Sequence, residues 1–279
     1  MGTQLMDRGL VAGECGMRWN EDKAEAVRSV HEAYAAAGCR LITTNSFGGT
    51  RTMLERHGQD SKVADWNRLA AALAREAAGP SNWVFGDVGP FGDFLEPVGE
   101  VTTEELTGIF SEQIAALSEG GIDAVLVETM SDPHEAAVAV RAAGQVCKLP
   151  VAVTYAFQKT AGGFRTMMGN AVREAVGEVL EAGASLVGAN CGTDLSLEDY
   201  ALLADELVAA AAGTPVILQA NAGAPKTGQE GKISYDASPV EMAEAAIRFQ
   251  AAGVRVIGGC CGTTPAHLAA MANALGLRP

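Results

Sequence analysis

Cysteine is the residue type whose placement in this chain points most directly to chemistry. There are six cysteines. Cys191 stands in Gly188-Ala189-Asn190-Cys191-Gly192-Thr193, and Cys260 and Cys261 stand in Gly258-Gly259-Cys260-Cys261-Gly262-Thr263-Thr264-Pro265. Each group follows a short β-branched run, and a parallel α/β barrel exposes its active site at the C-terminal ends of its strands. Adjacent cysteines such as Cys260 and Cys261 are poorly placed to bridge each other. Three thiolates converging from two strand ends suit Zn²⁺, which accepts sulfur and takes four ligands. Three protein ligands leave one position open, as in catalytic zinc sites. A thiol substrate taking that position would have its pKa lowered and would stand as thiolate at neutral pH. The flanking glycines let the backbone come close in a crowded mouth. Cys15, Cys39 and Cys147 fall in a loop and at two helix ends, where a cysteine reads as a small buried hydrophobe.

The remaining polar candidates carry less. His31, His57, His134 and His267 share no spacing, and three of them fall in helical runs, so they read as surface or core residues. Gly48-Gly49 and Gly162-Gly163 lack the Lys-Ser/Thr of a phosphate-binding loop. Met167-Met168 reads equally as core packing or as part of an apolar lip.

The elements that must position the cysteines are legible as a rhythm. Short apolar runs at 41–45, 83–87, 124–128, 151–155, 186–190, 216–220 and 254–258 alternate with helical periods at 21–37, 61–78, 103–118, 133–146, 172–182, 197–211, 239–251 and 264–275. The runs are apolar on both sides, as parallel strands buried on both faces are. Gly38, Gly121, Gly183 and Gly253 stand where helices end, and Thr102, Asp132-Pro133 and Ser238-Pro239 where they begin. A βα unit of about 35 residues repeats without a linker, which predicts one barrel domain over 1–279 rather than two domains. The fold class is therefore α/β, a (βα)8 TIM-type barrel whose first strand is missing from the reading, since seven strands accompany eight helices. A doubly wound open sheet is the structural alternative. The gap is expected between the second and eighth strands, with Met1 to Leu5 at the mouth beside Thr43 to Phe47.

Composition narrows the function classes. Lys and Arg total 20 against 34 Asp and Glu, a net charge of −14, which disfavours a nucleic-acid partner. No apolar run approaches the ~20 residues of a membrane span, and the first residues do not read as a signal peptide. A cytoplasmic protein with its thiols reduced is the expectation.

The strings Gly188–Gly192, Asn221-Ala222-Gly223 and Gly258–Pro265 resemble the homocysteine S-methyltransferase family, which includes the homocysteine-binding barrel of cobalamin-dependent methionine synthase and betaine–homocysteine methyltransferase. Gly2-Thr3 resembles the tail of that family's Asp-Gly-Ala-Met-Gly-Thr motif, Thr43–Gly48 its second-strand loop, and Val127-Glu128-Thr129 its fourth-strand end. The resemblance implies that Cys191, Cys260 and Cys261 are the zinc ligands. It implies that Glu128 receives the amino group of homocysteine, and that Gly2, Ser46 and Phe47 sit in loops lining the amino-acid end of the pocket. Asn221 would approach the metal through its side-chain oxygen when substrate is absent. One departure touches amino-group recognition and barrel closure: the family's Asp would precede Met1. A charge-assisted bond from Glu128 to the substrate's ammonium would orient it. The alternative for Glu128 is to cap the following helix through Asp132-Pro133.

The implied activity is zinc-dependent transfer of a methyl group to the thiolate of homocysteine. The Gly/Pro-rich rim at 86–99 and Arg165-Thr166-Met167-Met168-Gly169 resemble the cobalamin-linked branch, so methylcobalamin on a separate corrinoid protein is the expected donor, since no binding module for it follows within 279 residues. The alternatives are a zinc- or thiol-binding barrel without turnover, and a related zinc methyltransferase acting on another thiol or on a corrinoid protein.

Overall fold

The computed structural model describes residues 1–228 and 233–277; Pro279, the end of the expected domain, lies outside them. In chain order the strands are β1 (Leu41–Thr43), β2 (Trp83–Val88), β3 (Ala124–Met130), β4 (Val151–Tyr155), β5 (Phe157–Thr160), β6 (Gly163–Thr166), β7 (Leu186–Asn190), β8 (Val216–Ala220), β9 (Lys226–Thr227), β10 (Ile233–Ser234) and β11 (Val256–Gly259). Seven of them form one parallel sheet in the order β1-β2-β3-β4-β7-β8-β11. Each step passes through a helix, and the seven-stranded sheet curls into a TIM-type barrel that lacks one strand.

The sequence signals act as expected at the helix ends. Thr102, Ser196 and Ser238 each close a capping box with the acidic residue three positions on, and Asp132 accepts the His134 N–H at 2.8 Å ahead of Pro133. Gly38, Gly121, Gly183 and Gly253 have φ of 95°, 95°, 105° and 108°, the left-handed conformation that releases the chain into the next strand.

Pleating decides which residues reach the barrel interior, because alternate side chains point to opposite faces. Val125 and Val127 of β3 face outward into a core shared with Ile114, Leu117 and Ala139 of the surrounding helices. Phe85, Ala124, Leu126 and Ala152 form a separate inner cluster, with Leu41 and Leu186 against it. The same alternation carries Asp87 two residues beyond Phe85, and Glu128 two beyond Leu126, onto that inner face at the strands' C-terminal ends.

The wall is open where the strand count left a gap. Among the described residues β1 and β11 are the two edges of the sheet, and all four residues of β11 are only half-buried. A cavity of about 820 Å³ occupies the opening and continues to the mouth, where Met1, Gly2 and Thr3 meet Thr43 to Phe47.

Four local features differ from the sequence reading. Gly2 opens a short helix, Gly2–Met6, instead of lying in a loop. The run at 21–37 is divided at Lys23, whose φ of −137° and ψ of 42° interrupt the helix between Trp19–Asp22 and Ala24–Ala36. β5 and β6 make an antiparallel hairpin, with Phe157 opposite Thr166, and β9 pairs antiparallel with β10; neither was expected. Among the described residues no helix is long and apolar enough to cross a membrane.

Candidate metal centre

Three neighbouring strand ends build the centre. β7 leads into Cys191, whose φ of 52° places a non-glycine residue in the left-handed region. β11 leads into Cys260 and Cys261, and the turn closes when Thr263 donates to the Cys260 carbonyl from its N–H at 3.2 Å and its hydroxyl at 2.7 Å. β8 lies between them and holds both. Its Gln219 carbonyl accepts the Cys191 N–H at 3.3 Å, and its Ala220 carbonyl accepts the Cys260 N–H at 2.8 Å. Just beyond it, Ala222 donates to the Cys261 carbonyl at 3.0 Å, and Asn221 Oδ1 accepts the Cys261 N–H at 3.0 Å. All three cysteines are thus fixed through their backbone to β8 or to the two residues that follow it.

Glycines allow this crowding. A Cβ on Gly188 would lie 1.7 Å from the Ile217 carbonyl oxygen of β8, so β7 and β8 approach as they do only because residue 188 has none. Gly262 turns at φ +78°, and a Cβ there would meet the Tyr235 ring at 2.4 Å.

The sulfurs converge. Cys191 Sγ lies 3.9 Å from Cys261 Sγ, which lies 4.0 Å from Cys260 Sγ, and all three fall within 4.8 Å of one another. Tetrahedral zinc with Zn–S bonds of ~2.3 Å sets its sulfurs about 3.8 Å apart. The triangle therefore fits zinc, and three ligands leave the fourth position to the cavity they line. Hydrogen bonds from Cys191 and Cys260 pull the Cys261 thiol far down, with Tyr235 adding to the effect. Cys260 is pushed up by its bonds to Cys191 and Cys261 and then by burial. For Cys191 the bond with Cys260 lowers the pKa, but Cys261 and burial outweigh it and the net direction is up.

Two asparagines approach the sulfurs. Asn221 Nδ2 approaches Cys191 Sγ at 3.9 Å, while its Oδ1 accepts the Cys261 N–H. Asn190 Nδ2 approaches Cys260 Sγ at 3.8 Å and donates to Thr129 Oγ1 at 2.7 Å. Its Oδ1 accepts the Thr129 N–H at 2.9 Å and the Thr154 hydroxyl at 2.8 Å. Asn190 thereby ties β3, β4 and β7 to one thiol, and holds Thr129 at φ 60°, strained for a β-branched residue.

Glu128 enters the same cavity from the end of β3, as do Gly2, Ser46 and Phe47. Asp132, not Glu128, caps the following helix. Burial raises the Glu128 carboxyl, and the Met1 amino group and Asp87 oppose the rise. Cys15 and Cys39 also line the cavity, and burial pushes the Cys39 thiol up to about 11, which keeps it a neutral thiol. Met167 and Met168 are exposed outside the cavity, just after β6. Sequence reasoning missed Asp87 and gave Asn190 no role. The signal for Asp87 was available: it is the one charged residue in an otherwise apolar strand.

A family model described as homocysteine S-methyltransferase matches residues 1–275. The chain belongs to the homocysteine S-methyltransferase family. It is 31% identical over 295 residues to methionine synthase of Mycobacterium leprae (strain TN), covering 99% of this chain and 24% of the relative. Against methionine synthase of Mycobacterium tuberculosis (strain ATCC 25618 / H37Rv) it is 29% identical, again over 99% of the chain and 24% of the relative. The chain thus spans about a quarter of the length of these curated relatives. The fold is similar to that of the homocysteine methyltransferase MmuM from Escherichia coli. Its oxidized form gives a TM-score of 0.79 at 22% identity, covering 98% of this chain and 93% of MmuM. Its metallated form gives 0.77 at 22% identity, covering 97% and 92%.

Proposed function

We propose that this barrel transfers a methyl group to the thiol of homocysteine at a zinc centre held by Cys191, Cys260 and Cys261. The observation that carries the reading is the triangle of three sulfurs, at zinc-compatible spacing, in one cavity with the carboxylate of Glu128. Zinc bound there would supply Lewis acidity that keeps the acceptor's sulfur deprotonated at neutral pH. MmuM, a structural neighbour, is known in a metallated form, which supports a metal in this fold.

The chain's own residues do the rest. Glu128 receives the ammonium of the amino acid and so orients the sulfur toward the cysteines. Asn190 and Asn221 donate weakly to Cys260 and Cys191 and spread the charge gathered on the sulfurs. Ser46 is engaged in holding the backbone, donating to the Asp87 carbonyl at 2.6 Å, so its part is to shape the pocket. Phe47 is partly exposed at the mouth, where it shields the acceptor from solvent. The sulfur lone pair forms the new S–C bond in line, and the electrons of the breaking bond leave with the donor. No general base is required at a sulfur that already lacks its proton.

The donor we propose is methylcobalamin carried by a separate corrinoid-binding protein or region. The methionine synthase relatives extend over about four times the matched length, which leaves room for donor-binding parts beyond this barrel. The exposed Met167-Met168 pair on the rim offers an apolar lip to such a partner. A screen of labelled methyl donors against thiol acceptors with the zinc-loaded chain tests the reading. Methylation of homocysteine from methylcobalamin supports it. Zinc and thiol binding without turnover for any donor would leave a binding barrel, and turnover confined to another thiol would move the acceptor.

A further inference from the structure

We infer that Asp87 is the second carboxylate of the receptor for the acceptor's ammonium, placed beside Glu128, and that it sets a preference for thiols bearing an amino group. The inference rests on the proposed thiol amino acid reading and adds a positioning residue to it.

Three observations converge on Asp87. The first is placement. In the parallel register Asp87 stands opposite Leu126, so Glu128 is its diagonal neighbour one pleat further toward the mouth on the same inner face, within reach of a shared ligand. Both line the cavity that the three cysteines line.

The second is rigidity of the mount. The Asp87 N–H donates to Thr44 Oγ1 at 2.9 Å. Its carbonyl accepts the Ser46 hydroxyl at 2.6 Å and Gln113 Nε2 at 3.3 Å. Three side chains from two other segments thus fix this one peptide, which is the support expected of a group that must present its side chain at a set place.

The third is the side chain itself. Asp87 is 4% exposed, yet its Oδ1 has no hydrogen-bond partner. A buried carboxyl oxygen left unpaired is unfavourable relative to water. Burial, then the charge of Glu128 and a hydrogen bond with it, push the Asp87 carboxyl well above its ordinary range, and the Met1 amino group opposes them. Two carboxyls facing one pocket must share a proton or receive a cation. An ammonium delivered by a substrate satisfies both with charge-assisted bonds and lets both ionise. The thiol end of that substrate then has the cysteine triangle, across the same cavity, as its destination.

The test is binding of two thiols to the zinc-loaded chain by titration calorimetry. One is homocysteine and the other is desaminohomocysteine, the same thiol acid without the amino group. Asp87→Asn keeps the shape and removes the charge. It is expected to weaken homocysteine about tenfold or more, as loss of a charge-assisted bond does, and to leave desaminohomocysteine within about twofold. Asp87→Ser provides a second uncharged side chain, and Asp87→Glu is expected to restore part of the discrimination. Retained binding of desaminohomocysteine shows that a variant is folded and metal-loaded. Equal weakening of both thiols, or unchanged homocysteine affinity, overturns the role of Asp87 alone. A native chain that binds both thiols equally removes the ammonium receptor, Glu128 included, while leaving a thiol site. A native chain that binds neither thiol overturns the thiol reading itself and the inference with it.

Discussion

Replacing Glu135 with glutamine isolates one buried charge whose effect on stability has a definite sign. Glu135 lies in the first turn of the helix Pro133–Val146, is buried, and accepts the Phe91 N–H at 2.8 Å, pinning the rim loop that follows β2. Burial raises its carboxyl from 4.5 to about 7; the Phe91 bond resists the rise and Asp132 adds to it. The folded pKa is therefore above the unfolded one. Between 4.5 and about 7 the folded chain holds a proton that the unfolded chain has released. The stability this group contributes is complete below the unfolded pKa and is lost as pH rises through about 7. At ~1.36 kcal/mol per pH unit, that separation amounts to about 3 kcal/mol. Glutamine keeps an oxygen for Phe91 and carries no charge. Urea unfolding of zinc-loaded wild type and Glu135→Gln is expected to show the variant more stable by about 2–3 kcal/mol at alkaline pH, a rise of roughly 5–10 °C in Tm. The difference should vanish on approach to the unfolded pKa. A difference that is constant with pH, or a variant less stable in alkaline buffer, would refute the assignment of the buried charge.

Three further outcomes follow from the same geometry. Glu128→Gln is expected to weaken homocysteine about tenfold or more while zinc stays bound, measured by titration with metal analysis of the same sample; unchanged affinity would return Glu128 to a structural role. Gly188→Ala forces β7 from β8, and is expected to cost at least about 1–3 kcal/mol and to loosen the metal centre through Cys191, read by urea unfolding and zinc retention; normal behaviour in both would contradict the close approach. A short strand-forming segment fused ahead of Met1 is expected to pair with the open edges of β1 and β11 and raise Tm; unchanged melting would show that those edges cannot accept a strand.

Much of the frame was legible because parallel strands and amphipathic helices write themselves as periods. The runs at 151–155, 186–190 and 216–220 coincide with β4, β7 and β8 to the residue. The seventh run began too early, since Val254 and Arg255 still belong to the approach to β11. The gap in the wall could be anticipated by counting strands against helices. The β5–β6 hairpin is hard to read from sequence because Gly162-Gly163 resembles a glycine loop, while the structure makes it the turn region between two short paired runs. The cysteine triangle was visible from its position after two strands, but the reason it closes was not. That reason lies in β8, whose carbonyls and Asn221 hold both cysteine segments through contacts distant in sequence. Asn190 was quoted within its motif, yet its bonds to Thr129 and Thr154 depend on three strands meeting. Asp87 is signalled in the sequence as the carboxylate that interrupts the apolar run Trp83–Val88, whereas Glu128 stands out only through the family resemblance.

The central claim, a zinc site built from Cys191, Cys260 and Cys261, is tested most directly by metal analysis of the purified chain and of a Cys260→Ser/Cys261→Ser double variant. About one tightly held zinc per chain is expected in the wild type, since three thiolates leave one coordination position to the substrate. The double variant, which keeps only Cys191, is expected to lose it on dialysis against a mild chelator. Tight zinc retained at the same stoichiometry in the double variant would contradict the account.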